Sequence, residues 1–317
     1  MKNLIKTIQN TIFQHGLFER GSKIVVGVSG GPDSVCLLDV LSKLAPKYDL
    51  ELTVAHVNYG LRGKDSDKDE LFVESLAEKY GLQFSVMMPV LQKNSASENK
   101  LREMRYQFFE DVRTENDFDL IAVAHNADDQ VETFLMRVMR GSGLQGLSAM
   151  KFKTEKIIRP LLGISRKEIL EYLKNNNLTY RTDRTNRENL FLRNKIRNKL
   201  IPYLEKNFNP AIKETIFGAT TSIAEDYDFL NSYAEALLGK QKELSIKKLL
   251  TLHPALQRRV LLLYIGRERS DLKDIEASHI EEVLKALRST KSKNQVVVFK
   301  GLKLTRKGDK VILSRIA

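Results

Sequence analysis

The chain has 317 residues, 42% of them hydrophobic, enough for one large domain or for two with real cores. No apolar run approaches the ~20 residues a membrane span requires, and Met1-Lys2-Asn3-Leu4-Ile5-Lys6 lacks a signal-peptide core, so a soluble, cytoplasmic protein with no membrane partner is expected. The single cysteine, Cys36, excludes an internal disulfide and a multi-cysteine zinc or iron–sulfur site, while 52 Lys and Arg against 40 Asp and Glu leave +12, a surplus suited to a polyanion such as nucleic acid.

Residues 1–20 read as an amphipathic helix, with Ile5, Ile8, Ile12 and Phe13 at helical spacing. A hydrophobic strand, Ile24-Val25-Val26-Gly27-Val28, then runs into Ser29-Gly30-Gly31-Pro32-Asp33-Ser34 and an apolar helix start at Val35. That pattern is an anion cradle: glycines let backbone N–H groups face a phosphate, serine hydroxyls add donors, and the helix N-terminus is electropositive. It lacks the lysine of a Walker A loop. Asp33 would repel phosphates unless a metal ion or a cationic substrate group sits between.

Leu52 to Val57 predicts a second strand buried on both faces, and it delivers His56 and Asn58 to the carboxyl edge of a parallel sheet, where ligands collect. A helix over 65–80, capped by Gly81, leads to a third strand, Gln83 to Met87. Ser95-Ala96-Ser97-Glu98 reads as a capping box opening a helix to about Arg113, on which Arg102 and Arg105 share a face. Leu120 to Ala124 is the fourth strand, followed by His125-Asn126-Ala127-Asp128-Asp129. There Asn126 can cap a helix, and Asp129 and Glu132, three apart, project from its first turns.

Arg140 to Leu147 is a glycine-rich, charge-bearing loop able to close over a substrate. A fifth strand, Lys156 to Arg159, stops at Pro160, and Ser165-Arg166-Lys167-Glu168 is a second capping box. Asp183-Arg184-Thr185-Asn186 precedes a helix carrying Arg193 and Arg197 on one face, a spacing fit for phosphate contact. After Pro202 and Pro210 the pattern is helical to about Leu287, and Gln295 to Phe299 with Lys310 to Leu313 predicts a closing β-hairpin. The expected organisation is a catalytic domain over 1–206, a linker over 207–216 and a helical RNA-binding domain over 217–317.

The Ser29–Ser34 string resembles the pyrophosphate loop of the N-type ATP pyrophosphatases, which split ATP into AMP and pyrophosphate. Together with His56-Val57-Asn58-Tyr59-Gly60-Leu61-Arg62, Arg102/Arg105-Tyr106, Ala124–Thr133, Arg140-Gly141-Ser142-Gly143 and Asp183/Asn186/Arg193/Arg197, it resembles the bacterial tRNA(Ile)-lysidine synthetases over roughly residues 20–205. The chain is short for that family, as if its C-terminal region were reduced. The resemblance implies an α/β fold: a doubly wound five-stranded parallel sheet of the PP-loop type, then a smaller, mainly helical domain ending in a β-hairpin.

It also implies a ligase. ATP adenylates the wobble cytidine of a tRNA(Ile) with a CAU anticodon, and free L-lysine displaces AMP to form lysidine, which reads AUA instead of AUG. By the same resemblance, Ser29, Gly30, Gly31, Pro32, Asp33, Ser34, His56 and Asn58 would bind ATP, and Asp33 would hold Mg²⁺. Asp129 and Glu132 would hold the lysine ammonium, and Arg102, Arg140, Arg193 and Arg197 the tRNA. Asp33, Arg105, His125 and Arg197 would act in catalysis, and a homodimer is allowed. A 2-thiocytidine-forming sulfur transferase is disfavoured by the lone cysteine, an amidotransferase-type synthetase by the lack of a glutaminase part. A non-enzymatic RNA-binding module would leave His125, Asp129 and Glu132 without a purpose.

Overall fold

A computed structural model describes residues 3–61, 63–89, 97–181, 192–240, 243–269, 272, 274–289 and 294–316. The chain divides into two compact units, Met1–Ser222 and Ile223–Ala317.

The first unit is built on five parallel strands: β1 (Lys23–Gly27), β2 (Glu51–Val57), β3 (Gln83–Met87), β4 (Leu120–Ala122) and β5 (Ile157–Ile158), in the order β3-β2-β1-β4-β5. Apolar residues on both faces of β1 explain its central place. Ile24 and Val26 pack with α1 (Leu4–Gln14), α2 (Pro32–Tyr48), α3 (Lys64–Lys79) and α7 (Arg166–Asn175), whereas Val25 joins Phe109 and Val112 of α4 (Glu98–Glu115) on the other face. The helices thus cover both sides, as a parallel sheet requires. Because β2 and β3 extend the sheet to one side of β1 and β4 and β5 to the other, the strand order reverses between β1 and β4. A crevice opens there beyond the carboxyl ends of the strands.

Several expected boundaries shift. In α1 the buried residues are Ile8 and Ile12, while Phe13 is 89% exposed. The cap of α4 is Ser97, whose side chain accepts the Lys100 N–H; Ser95 lies outside the described residues. Asn126 and Ser165 form the capping boxes of α5 (Ala127–Met139) and α7. Part of the glycine-rich loop is a short helix, α6 (Leu144–Leu147), and Arg137 donates to the carbonyls of Gly146 and Ala149, so this segment is pinned down instead of hanging open.

Leu192 to Asn207 form one winding helix: α8 (Leu192–Lys195), a widened π turn over Ile196–Leu200, and α9 (Ile201–Asn207). The widening has a local cause. Pro202 has no N–H for the carbonyl four residues back, and its ring would collide with that carbonyl; the Ile201 N–H instead reaches Ile196, five residues back. The expected linker over 207–216 already contains the start of α10 (Ile212–Leu238), because Ile212, Ile216 and Phe217 pack beside Val131, Ile196 and Ile201.

The second unit holds the end of α10 with α11 (Ile246–Leu250), α12 (Pro254–Glu268) and α13 (Ala277–Arg288), around Ala234, Leu261, Ile265, Val283 and Leu284. Its sheet has four antiparallel strands: β6 (Leu244–Ser245), β7 (Val296–Phe299), β8 (Leu302–Lys307) and β9 (Lys310–Arg315), ordered β6-β9-β8-β7. The expected hairpin is therefore a meander with an added edge strand. No helix among the described residues is long and apolar enough to cross a membrane.

Candidate active site

The segment after β1 is a tight turn braced by its own hydroxyls. Ser34 Oγ accepts the Ser29 N–H at 3.1 Å and donates to the Gly31 carbonyl at 3.0 Å, while Ser29 Oγ lies 3.2 Å from Ser34 Oγ. Gly30 has φ +81°, a left-handed conformation that costs a side chain strain, and Phe72 and Val73 lie against it, 3.4 Å from where a Cβ would stand. Pro32 opens α2 at a position where a missing N–H costs nothing. Two adjoining cavities of about 210 and 390 Å³ lie over this turn, and both are lined by Ser29, Gly31, Val57, Tyr59 and Arg105. Asp33, Tyr106, Phe109 and His125 line the first; Pro32, His56, Asn58, Arg166 and Arg181 line the second.

His56 is buried, with Nδ1 2.8 Å from the Val28 carbonyl. A carbonyl only accepts, so Nδ1 carries the proton and Nε2 keeps its lone pair. Burial pushes the His56 pKa below the ordinary value, against the Val28 bond and the nearby Glu70 and Asp69 charges. Asn58 is occupied structurally: its amide donates to Glu70 at 2.7 Å and its oxygen accepts the Gly60 N–H at 2.9 Å. It shapes the cavity wall more than it offers free groups to a ligand.

Asn126 joins the two chemical centres. It caps α5 through a reciprocal pair of 3.0 Å bonds with Asp129, and its amide donates to Asp33 Oδ1, also at 3.0 Å. Asp33 Oδ2 takes an ion pair from Arg166 at 3.1 Å. Burial raises the Asp33 pKa, Arg166 opposes that, and the Asp129 charge adds to it. A carboxylate whose charge is disfavoured in this way gains from a cation in the cavity, so it fits Mg²⁺. Among the described residues no group of three His, Cys, Asp or Glu could hold a metal alone, and an ion at Asp33 would complete its shell with nucleotide phosphates and water.

Asp129 and Glu132, read as an ammonium site, are brought onto Arg193 and Arg197, read as phosphate contacts. Arg193 Nε lies 2.7 Å from Glu132 and Nη2 2.8 Å from Asp129 Oδ1; Arg197 Nη2 reaches Asp129 Oδ1 at 3.1 Å. Glu132 is only 1% exposed, and two guanidiniums balance the two carboxylates. Burial alone would lower the pKa of both arginines, but Asp129 and Glu132 outweigh it and hold both above the usual value.

Arg102 and Arg105 flank the Tyr106 ring, at 4.9 and 5.8 Å from its centroid. Arg140 stands exposed at the C-cap of α5. Arg62 and Asp183–Asn186 lie outside the described residues. Cys36 is buried in α2, and burial raises its thiol pKa far above the usual range, as an inert packing residue requires. Sequence reading missed Arg166 and Arg181, both lining the second cavity; Arg181 N–H donates to the Gly30 carbonyl and its guanidinium pairs with Asp69 at 2.8 Å. It also missed Arg159, buried just after β5. Arg166 had a signal, since it opens the capped helix after β5, the fifth strand of the sheet.

The PP-loop domain family matches residues 2–204, and the TilS substrate binding domain family matches residues 244–311. The tRNA(Ile)-lysidine synthase of Clostridioides difficile is 37% identical over 97% of this chain and 70% of that protein. That of Clostridium tetani is 39% identical over 89% of this chain and 63% of the relative, and that of Geobacter sulfurreducens 35% identical over 98% and 69%. The chain thus spans 63% to 70% of the length of these relatives. Among solved structures, the U34-tRNA thiolase NcsA from Methanococcus maripaludis, with its [4Fe-4S] cluster, has a TM-score of 0.59 at 22% identity over 71% of this chain and 78% of that one, a likeness of fold.

Proposed function

The chain belongs to the tRNA(Ile)-lysidine synthase family, ATP-dependent ligases that form lysidine on tRNA(Ile), and we propose that it joins free L-lysine to C2 of the wobble cytidine of a CAU-anticodon tRNA(Ile), in the cytoplasm. One observation carries this reading. β4 delivers His125, Asp129 and Glu132 beside the glycine turn leaving β1, and Asn126 bonds to Asp33 across the gap.

In the first half-reaction the cytidine O2 attacks the α-phosphate of ATP; the O2–P bond forms, the bond to the β-phosphate oxygen breaks, and pyrophosphate leaves. The backbone N–H groups of Asp33 and Ser34, in the first turn of α2, hold the departing pyrophosphate. Mg²⁺, held by Asp33, would supply charge neutralisation on the phosphates. Arg105, reaching both cavities, and Arg166 oppose the negative charge that grows on the attacked phosphate.

In the second half-reaction the lysine ε-amine attacks C2, the C2–O bond breaks, and AMP leaves with the oxygen. The amine must arrive unprotonated. With a pKa of ~10.4, about one lysine in 2,500 is neutral at pH 7, a penalty of ~4.6 kcal/mol. Asp129 and Glu132 recruit the ammonium, and a carboxylate of this pair takes up the proton, directly or by relay through the His125 ring. Because Arg193 and Arg197 already neutralise these carboxylates, lysine capture requires an exchange of partners: RNA phosphates draw the guanidiniums away and free the carboxylates.

The test is incorporation of labelled lysine into a CAU-anticodon tRNA(Ile) transcript, with and without ATP, and with an elongator tRNA(Met) transcript as control. ATP-dependent labelling of the first alone is expected. RNA-dependent AMP formation without labelling would point to a different nucleophile.

A further inference from the structure

Two buried side-chain nitrogens without a hydrogen-bond partner, His125 Nδ1 and Arg159 Nε, belong to one neighbourhood. Strand alternation puts them there. Ala122 and Ile158 sit side by side and pack into the core under α2 and α7, whereas Ile121, Val123 and Ile157 face Phe109 of α4. Odd-numbered positions on both strands therefore face α4, and Arg159 and His125 continue that series. Arg102 and Tyr106 lie on the same α4 face, one helical turn apart.

Arg159 is unusual for a buried cation. It is only 7% exposed, its Nη1 donates to the Lys151 carbonyl at 2.8 Å, and the charges and hydroxyls that bear on it are those of Tyr106 and Arg102, with no carboxylate among the described residues. Burial lowers its pKa, so the fold tolerates this charge at a cost. An apolar side chain of similar length would fill the space without that cost. A group kept against stability beside a reaction centre points to function.

The charged groups that bear on His125 are Arg159, just after β5, Arg102 from α4, Arg193 from α8 and Asp129 from α5. Burial and the three cations disfavour a proton on the ring; Asp129 alone favours it.

We propose that Arg159 is a positioning residue for lysidine formation, which acts from behind the cavity by holding Tyr106 and the Lys151 loop and so fixing the wall from which His125 meets the reacting cytidine. This rests on the lysidine reading above, but part of its test does not.

The experiment compares wild type, Arg159→Met and Arg159→Lys in the full chain by three readouts. They are the titration of His125 by NMR of labelled histidine, the kcat and KM of lysidine formation, and the melting temperature. In Arg159→Met the His125 midpoint should move upward by about one unit or more, since a neighbouring cation has gone. kcat should fall about tenfold or more with KM for lysine and ATP within about twofold, and the melting temperature should hold or rise. Arg159→Lys, which keeps the charge, should keep the wild-type His125 titration.

An unmoved His125 midpoint in Arg159→Met overturns the proposal. So does a melting temperature that falls in both variants with activity lost in proportion, the mark of a purely structural arginine. A wild type that makes no lysidine would sink the parent reading instead, and the histidine titration would still decide the role of Arg159.

Discussion

Arg197 grips Glu132 along one edge of its guanidinium, Nε to Oε1 at 2.5 Å and Nη2 to Oε2 at 3.0 Å, while Arg193 Nε takes the same carboxylate at 2.7 Å. A carboxylate so enclosed is structural as well as chemical. Glu132→Ala leaves two guanidiniums facing Asp129 alone, and breaking a buried pair of this kind costs about 3–5 kcal/mol. Urea unfolding should show that loss, with Glu132→Gln losing less. A Glu132→Ala protein as stable as wild type would mean that the ion pairs contribute nothing to the fold.

The same enclosure couples the two substrates. Calorimetry should find lysine binding weak to the chain alone and about tenfold tighter, ~1.4 kcal/mol, with the CAU transcript and a non-hydrolysable ATP analogue present. Arg193→Ala should tighten lysine binding without RNA and weaken RNA binding. Lysine affinity indifferent to both RNA and Arg193 would exclude the exchange of partners.

The back wall of the first cavity depends on one glycine. An added Cβ on Gly27 would stand 2.7 Å from two ring carbons of Phe109, a clash that must move the ring. Gly27→Ala should cost about 1–3 kcal/mol through overpacking and weaken ATP binding. Phe109→Leu in the same chain should restore much of both, as measured by thermal melts and nucleotide titration; no recovery in the double variant would place the damage elsewhere.

Acid should unfold the protein through its buried histidines. In the unfolded chain they take up protons near the ordinary value of ~6.5; in the folded chain burial, the main cause, pushes His125 down to about 3 and lowers His56 as well. Their contribution to stability is present above pH ~6.5 and is lost progressively as pH falls through the window down to about 3. His125→Asn should flatten the stability profile between those limits. An unchanged acid slope would show that this ring is not the proton acceptor on unfolding.

Much of the fold was legible because burial on both faces of a parallel sheet leaves short unbroken apolar runs, as in Ile24 to Val28 and Leu120 to Ala124, and because caps such as Asn126 and Ser165 act within four residues. β8 escaped notice because Lys303, Thr305 and Lys307 alternate with its inward residues, so it reads as a polar turn. The site was half legible. The glycine turn and the His125 segment announce their chemistry locally. The pairing of Glu132 with Arg193, 61 residues away, has no local signal. Nor does the burial of Arg159, which depends on α4 lying over β4 and β5.

The π turn at Ile196–Leu200 has a consequence in phase. Each added residue rotates a helix by about 100°, so the extra residue offsets one end of the Leu192–Asn207 helix from the other by that angle. Arg193 and Arg197 look toward Glu132, while Ile201 stays seated beside Val131. A uniform α-helix through this sequence would align one set and turn the other aside. The orientation of the charge cluster is thus written further along the chain, at Pro202, a residue with no charge of its own.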